Sequence, residues 1–372
     1  MTKPRAKLPG QVVLVLQGGG ALGAYQVGVY QALHEAGIEP DWVIGTSIGA
    51  INGAVIAGNK PEDRLARLRE LWERFAQEPN FQALQYWPGV GQALAALSAL
   101  AGGIPGLFAP RAPVWGGLQA KVGLDRASYY SAAPLRDTLS SLVDFSVLNA
   151  VHPRLTVGAV NVKSGAMRYF DSRDMALGIE ELMASGALPP GLPAVRVDGD
   201  AYWDGGLYSN TPLEAVLDDN PRRDSVIFSV NVWQPAGNEP ESIWQAMARQ
   251  KDIQYASRAE SHIARQKQIH HLRHVIRELA RRVPEAERNS TEVLELASWG
   301  CSTTMHVVRL LAPELEGEDY MKDLDFSAAG IRSRCEAGLA DARCVIGRAP
   351  WEAPADPMEG VIVHELSVRT GR

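Results

Sequence analysis

The sequence predicts an α/β fold: a mostly parallel sheet with helices on both faces. Three observations carry that prediction. Strand-like apolar runs alternate with helix-like stretches through residues 12–235. The first run, Val12-Val13-Leu14-Val15-Leu16, is apolar at every position, as a strand covered on both faces must be. The first two runs each lead straight into a glycine-bearing turn and then a helical pattern. Gly18-Gly19-Gly20 follows the first, and Gly45-Thr46-Ser47-Ile48-Gly49 takes in the end of the second.

After the glycine turn a helix fits residues 21–36. Tyr25, Val29, Ala32 and Leu33 recur at helical spacing and Gly37 stops it. The second strand covers residues 42–45, and a helix-compatible stretch follows over 50–58. Leu65, Leu68, Leu71, Trp72 and Phe75 make 61–78 an amphipathic helix. Residues 80–117 are apolar, rich in Gly, Ala and Pro, and poor in charge. They suit an apolar lid; ordinary core packing is the equal alternative. Strands resume at 155–160 and 167–170, a helix fits 174–185, and a hairpin is expected around Asp198-Gly199-Asp200. A strand over 226–232 is expected to close this first unit.

Past Pro235-Ala236-Gly237-Asn238 the texture changes. Residues 241–282 form a long helical pattern rich in Arg, His and Gln. Ile269, Leu272, Ile276, Leu279 and Val283 make an apolar stripe, and Arg273, Arg277 and Arg281 a basic row. The basic row could meet anionic lipid head groups, although a solvated face is the plainer reading. A boundary near 236 divides the chain into 12–235 and a mainly helical region, 236–372.

Composition bounds the function. The 372 residues are 46% hydrophobic and 22% charged, enough for a large core in an ordinary globular protein. A net charge of −6 and a pI of about 5.8 give no global attraction to nucleic acid. The basic start, Met1 to Pro9, lacks the apolar run of a signal peptide, and no segment has the length of a membrane-spanning helix. Cys301, Cys335 and Cys344 are few and far apart, which suits reduced thiols and a cytoplasmic setting better than a disulfide framework.

The chemistry lies in the turns. In Gly45-Thr46-Ser47-Ile48-Gly49 a strand feeds a tight turn into a helix, the context that presents a serine hydroxyl as a nucleophile. A serine needs a base and donors for the developing oxyanion. Gly18, Gly19 and Gly20 end a strand at a helix start, where backbone N–H groups favour negative charge. Asp204, in Trp203-Asp204-Gly205-Gly206, ends a short strand and could accept the serine proton directly; a turn-forming Asp-Gly is the competing reading.

Taken together these residues resemble the patatin-like phospholipase family over roughly residues 12–217. Its three signatures stand in family order: Gln17-Gly18-Gly19-Gly20-Ala21-Leu22-Gly23, Gly45-Thr46-Ser47-Ile48-Gly49 and Asp204-Gly205-Gly206. Ala184-Ser185-Gly186-Ala187-Leu188-Pro189 is similar to the family's Ser/Ala/Pro segment. The resemblance implies a three-layer α/β/α sandwich and a metal-independent, cofactor-free acyl hydrolase of lipid esters. It implies Ser47 as nucleophile, Asp204 as proton acceptor, and Gly18, Gly19 and Gly20 as oxyanion hole, with Gly23, Gly45, Gly49, Gly205 and Gly206 as motif glycines. Two positions depart from the family: Gln17 stands where many members are acidic, and Leu22 where they are basic. Residues 251–283 and 302–306 look like the C-terminal extension of some bacterial members.

Other readings are weaker. Gly18-x-Gly20-x-x-Gly23 fits a dinucleotide fingerprint with Glu39 or Asp41 as ribose ligand, but the serine turn stands where the ribose should lie. A Ser-His-Asp triad lacks a histidine in the late strand-end loop; His34 falls in a helix and His152 before Pro153. His270 and His274 share a helix face with His262 and His271 nearby, but no acidic residue completes a metal site. The partner that the resemblance implies is a lipid or acyl-ester substrate, with peripheral membrane contact as an expectation. The alternatives are a vestigial lipid- or partner-binding scaffold, or an acyltransferase using the same serine.

Overall fold

The computed structural model describes residues 8–77, 100–112, 119–150, 152–315, 318, 320–354 and 356–365. Most of the expected lid, residues 80–99 and 113–117, lies outside them. Within 100–112, Ile104 and Leu107 are buried in the main core.

Strands β1 (Gln11–Leu16) and β2 (Trp42–Thr46) are followed by a small ribbon of β3 (Ala109–Pro110) and β4 (Tyr130–Ser131). Then come β5 (Arg154–Asn161), β6 (Met167–Asp171), β7 (Val195–Val197) and β8 (Asp200–Asp204). The last three are β9 (Ser225–Asn231), β10 (Met305–Leu311) and β11 (Val361–Glu365). The main sheet runs in the order β11-β10-β9-β1-β2-β5-β8-β7, with β6 also paired to β5. It is parallel from β11 to β5; β6, β7 and β8 add antiparallel pairs.

The all-apolar first strand has the reason the sequence suggests. Val12, Leu14 and Leu16 enter one core cluster, and Val13 and Val15 enter another on the opposite face. The first face is covered by α1 (Ala24–Glu35), α2 (Ile48–Ala57), α3 (Pro61–Phe75) and the C-terminal helix Ala328–Arg348. The second is covered by Leu213, Val216 and Leu217 and by Ile263 of the long helix Ile243–Arg282. Three layers result.

Element boundaries shift for local reasons. Residues Gly20–Gly23 form a 3-10 turn, so α1 starts later than expected. The helix expected over 174–185 spans Ile179–Ser185, started by a Gly178 N–H to Glu181 carboxylate hydrogen bond of 2.7 Å. A larger change concerns the second half. It is mainly helical, as expected, but β9 does not close a first unit. It lies between β1 and β10, and β10 and β11 from beyond residue 236 continue the same sheet.

The C-terminal helix is seated on α1 backbone to backbone. A Cβ at Gly28 would stand 1.9 Å from the Cys335 carbonyl oxygen, and one at Gly338 would stand 2.1 Å from that of Tyr25. Only hydrogen fits at either position. Gly28→Ala should therefore force the helices apart and cost about 1–3 kcal/mol in urea unfolding. An unchanged midpoint would mean that this crossing contributes little to the fold.

Candidate functional site

The C-terminal ends of the parallel strands β1, β2 and β9 lie side by side. In open α/β sheets that edge is where ligands bind. The Gly18 loop leaves β1, Ser47 leaves β2, and Trp233 follows β9. Asp204 reaches the same place from the opposite direction. On β5, Gly158 pairs with Thr46 and the next residue, Ala159, pairs with Asp204. Since β6 occupies the other edge of β5, the ends of β2 and β8 meet head to head along a single edge. Ser47 and Asp204 are thereby neighbours, although 157 residues separate them in the chain.

Ser47 sits at φ 57° and ψ −127° at the start of α2. This conformation costs a non-glycine residue roughly 1–3 kcal/mol. Several contacts hold it. The Ser47 N–H donates to Ser185 Oγ at 3.1 Å, and the Ser185 hydroxyl donates to the Gly158 carbonyl at 2.7 Å. The Ser47 carbonyl accepts from Ala50 N–H and Ile51 N–H at 2.9 and 3.1 Å. The motif glycines admit close backbone contact. A Cβ at Gly45 would lie 2.4 Å from the Gly49 oxygen, and one at Gly49 would lie 2.2 Å from the Leu16 oxygen. The hydroxyl is half-buried beside the positive end of α2.

Asp204 is 2% exposed. Its Oδ1 accepts from the Gly206 N–H at 2.7 Å, so the turn reading of Asp-Gly-Gly is also correct. Its Oδ2 is buried and completes no hydrogen bond with a described residue. Burial raises the carboxyl from 3.8 to about 6, against the pull of the Ser47 hydroxyl and the Gly206 N–H. Ser47 thus acts on the carboxyl electrostatically, short of complete hydrogen-bond geometry. Such contacts often tighten only once substrate is bound.

The glycine loop is clamped from below. The Gly18 carbonyl accepts from Trp233 Nε1 at 2.8 Å and Asn210 Nδ2 at 3.0 Å, and the Gly18 N–H donates to the Asn210 carbonyl at 3.2 Å. In a trans peptide the C=O and the following N–H point opposite ways, so fixing the Gly18 carbonyl aims the Gly19 N–H. Of the three loop glycines, Gly18 thus has its N–H engaged by the Asn210 carbonyl, while Gly19 and Gly20 keep theirs unengaged among the described residues. The sequence places Ser185 in a recognised segment without a role, and gives no role to Asn210 or Trp233. Nothing in local spacing points to Trp233.

Gln17 replaces the acidic residue with an amide that uses both ends. Its Oε1 accepts from the N–H groups of Val232 and Trp233 at 2.5 and 3.1 Å, and its Nε2 donates to Thr211 Oγ1 at 2.7 Å. A buried chain continues beneath the loop: Gln26 donates to the Gln17 carbonyl, Asn52 to Gln26, and Trp72 to Asn52. Gln17→Ala would strand two buried N–H groups and should cost about 2–5 kcal/mol in chemical denaturation. A loss within a few tenths of a kcal/mol would show that water replaces the amide. Leu22 is buried in the core, so its departure from the family alters packing.

The rival residues are engaged elsewhere. Glu39 pairs with Arg64 at 2.6 Å and His34 at 2.5 Å, and Asp41 accepts from the Val12 N–H at 2.8 Å. No histidine forms a hydrogen bond with Ser47 or Asp204 among the described residues; His152 is exposed. His270 reaches the Leu217 carbonyl, and His274 those of Pro357 and Thr303. Among the described residues no group of three or more His, Cys, Asp or Glu side chains could hold a metal ion. In the basic row Arg277 and Arg281 are exposed, whereas Arg273 is half-buried.

A family model described as patatin-like phospholipase matches residues 14–217, and one described as patatin phospholipase matches 253–358. Lysophospholipase nte1 of Aspergillus terreus is 43% identical over 86 residues, covering 21% of this chain and 6% of that protein. Patatin-like phospholipase domain-containing protein 6 of Mus musculus is 43% identical over 63 residues, covering 17% of this chain and 5% of that protein. The chain spans only a small fraction of either relative's length. The crystal structure of VipD from Legionella pneumophila aligns with 94% of this chain and 71% of that one, at a TM-score of 0.41 and 15% identity.

Proposed function

This chain belongs to the patatin-like phospholipase family, and on that premise we propose that it is a serine acyl hydrolase of lipid esters acting through Ser47 and Asp204. The observation that carries the reading is the pairing of Thr46 and Asp204 with successive residues of β5, which brings hydroxyl and carboxylate together. Ser47 Oγ attacks the ester carbonyl while Asp204 Oδ2 takes its proton. The N–H groups of Gly19 and Gly20 receive the oxyanion. Asp204 returns the proton to the departing alcohol, leaving an acyl-serine. A water then attacks, giving its proton to Asp204, and the fatty acid leaves as Ser47 is restored.

Residues 12–235 supply the reacting groups in this reading, and the second half holds them. The Tyr255 carbonyl accepts from Gln17 Nε2 at 3.2 Å, and the Tyr255 ring packs on Trp233. Contact with a lipid surface is part of the proposal. Ile243 and Trp244, 80% and 59% exposed, begin the helix that leads to Tyr255. No helix among the described residues is long and apolar enough to cross a membrane. A cytoplasmic setting, in keeping with three free cysteines, belongs to the same proposal.

The test is active-site labelling with a fluorophosphonate. One label per chain, located at Ser47 by peptide mapping, is the expected result. Folded protein that takes no label would instead indicate a lipid- or partner-binding scaffold.

A further inference from the structure

Buried polar atoms are normally paired, and each exception asks for a cause. Among the described residues eight buried side-chain nitrogen or oxygen atoms have no hydrogen-bond partner. Five of them, on Arg222, Gln266, His270, Arg273 and Thr303, lie where the long helix crosses the N-terminal ends of β9 and β10. Such a concentration marks one place rather than scattered imperfections.

Three segments are tied together there. His270 Nε2 donates to the Leu217 carbonyl at 3.1 Å, and Gln266 Nε2 donates to Asp218 Oδ1 at 3.0 Å. The Cys301 N–H donates to the Arg273 carbonyl at 3.2 Å, and His274 Nε2 to the Thr303 carbonyl at 2.9 Å. The Thr304 N–H donates to Asp224 Oδ1 at 2.8 Å. These bonds bring Arg222, Arg273 and Thr303 into one small region, each from a different segment. The unpaired atoms of the three are all donors: Arg222 Nε, Arg273 Nη1 and Thr303 Oγ1.

The charge is unbalanced. Arg222 and Arg273 act on each other as like charges, and both act on His270. Asp218 attracts Arg273, but one of its oxygens is already taken by Gln266. Neither unpaired guanidinium nitrogen meets a carboxylate among the described residues. Two arginines held together, with buried donors that the nearby Asp218 leaves unpaired, is an arrangement that an anion completes.

We propose that Arg222, Arg273 and Thr303 form a binding site for a phosphate group, distinct from Ser47. Phosphate suits the donors because it offers several oxygens in a tetrahedral array to groups approaching from three segments, and guanidinium matches it well. The site lies at the N-terminal strand ends, whereas Ser47 lies at the C-terminal ends. A seven-residue strand such as β9 separates the two ends by about 20 Å. The bound phosphate is therefore not part of the ester held at Ser47. It bridges the 217–225 loop, the long helix and the 301–304 loop, and so stabilises the second half against the sheet. The source is inorganic phosphate or the phosphomonoester of a lipid.

The test uses the full chain. Inorganic phosphate is titrated calorimetrically at constant ionic strength, with chloride as control. In parallel, vesicles of phosphatidylcholine with and without phosphatidate are compared by co-sedimentation. Saturable phosphate binding assigns free phosphate, and binding only to phosphatidate vesicles assigns a lipid head group. In either case Arg222→Gln and Arg273→Gln should each weaken binding about tenfold or more, with fluorophosphonate labelling of Ser47 unchanged. Thr303→Val removes a donor without altering charge and serves if an arginine variant does not fold. No saturable binding to either probe overturns the proposal. So does affinity that is unaltered in the variants that fold.

Discussion

Replacing Ser47 by alanine should lower turnover of a short-chain aryl ester by about 10⁵- to 10⁶-fold, as expected when a nucleophile that works as a unit with its base is removed. The fold should survive, because the turn is held by backbone contacts. The Ser47 N–H to Ser185, the Ser47 carbonyl to Ala50 and Ile51, and the close packing of Gly45 and Gly49 do not use the hydroxyl. A second substitution separates chemistry from strain. Ser47→Gly should be equally inactive but more stable than Ser47→Ala by roughly 1–3 kcal/mol, since glycine accepts φ 57° without a Cβ clash. Steady-state kinetics and urea unfolding of the two variants test both parts. An alanine variant retaining more than a small fraction of wild-type turnover would remove Ser47 from the mechanism.

What was legible in the sequence was local. A run such as Val12 to Leu16, apolar on both faces, has no stable place except inside a covered sheet, and Gly45 and Gly49 bracket a turn that tolerates no side chain at either position. What was hidden depends on distant pairing. Nothing in residues 200–204 shows that they dock end-on to β2 along β5, yet that register assembles the serine and the aspartate. Trp233 is likewise invisible as a clamp until β9 lies beside β1. The long helix misleads most. Its leucines suggest the buried face, but Leu272 and Leu279 are each 60% exposed, while Gln266, His270 and His274 are buried. That face lies on loop backbone around residues 217 and 303, and carbonyl oxygens there select hydrogen-bond donors over methyl groups.

Asp204→Asn should lower kcat by about 10²- to 10⁴-fold, the usual range for general-base assistance. It should also abolish the acid limb of the pH profile. Asp204 must be ionised to accept the Ser47 proton, so wild-type activity should rise with pH through about 6, where burial has moved this carboxyl, and fall away below it. The amide cannot titrate, and its residual rate should show no inflection there. The same shift has the opposite consequence for stability. With the folded pKa raised from 3.8 to about 6, the folded state binds more protons than the unfolded chain between those values. Stability contributed by the protonated form is therefore lost as pH rises across that window, by about 3 kcal/mol in all above pH 6. An amide at this position carries no buried charge, so the variant should gain stability over wild type at pH 7 and converge with it towards pH 4. A variant that is slower, loses the inflection and is more stable at neutral pH matches a base kept in place at a cost to the fold. One that is slower but less stable at every pH would make Asp204 a structural turn residue, and the base would have to be sought elsewhere.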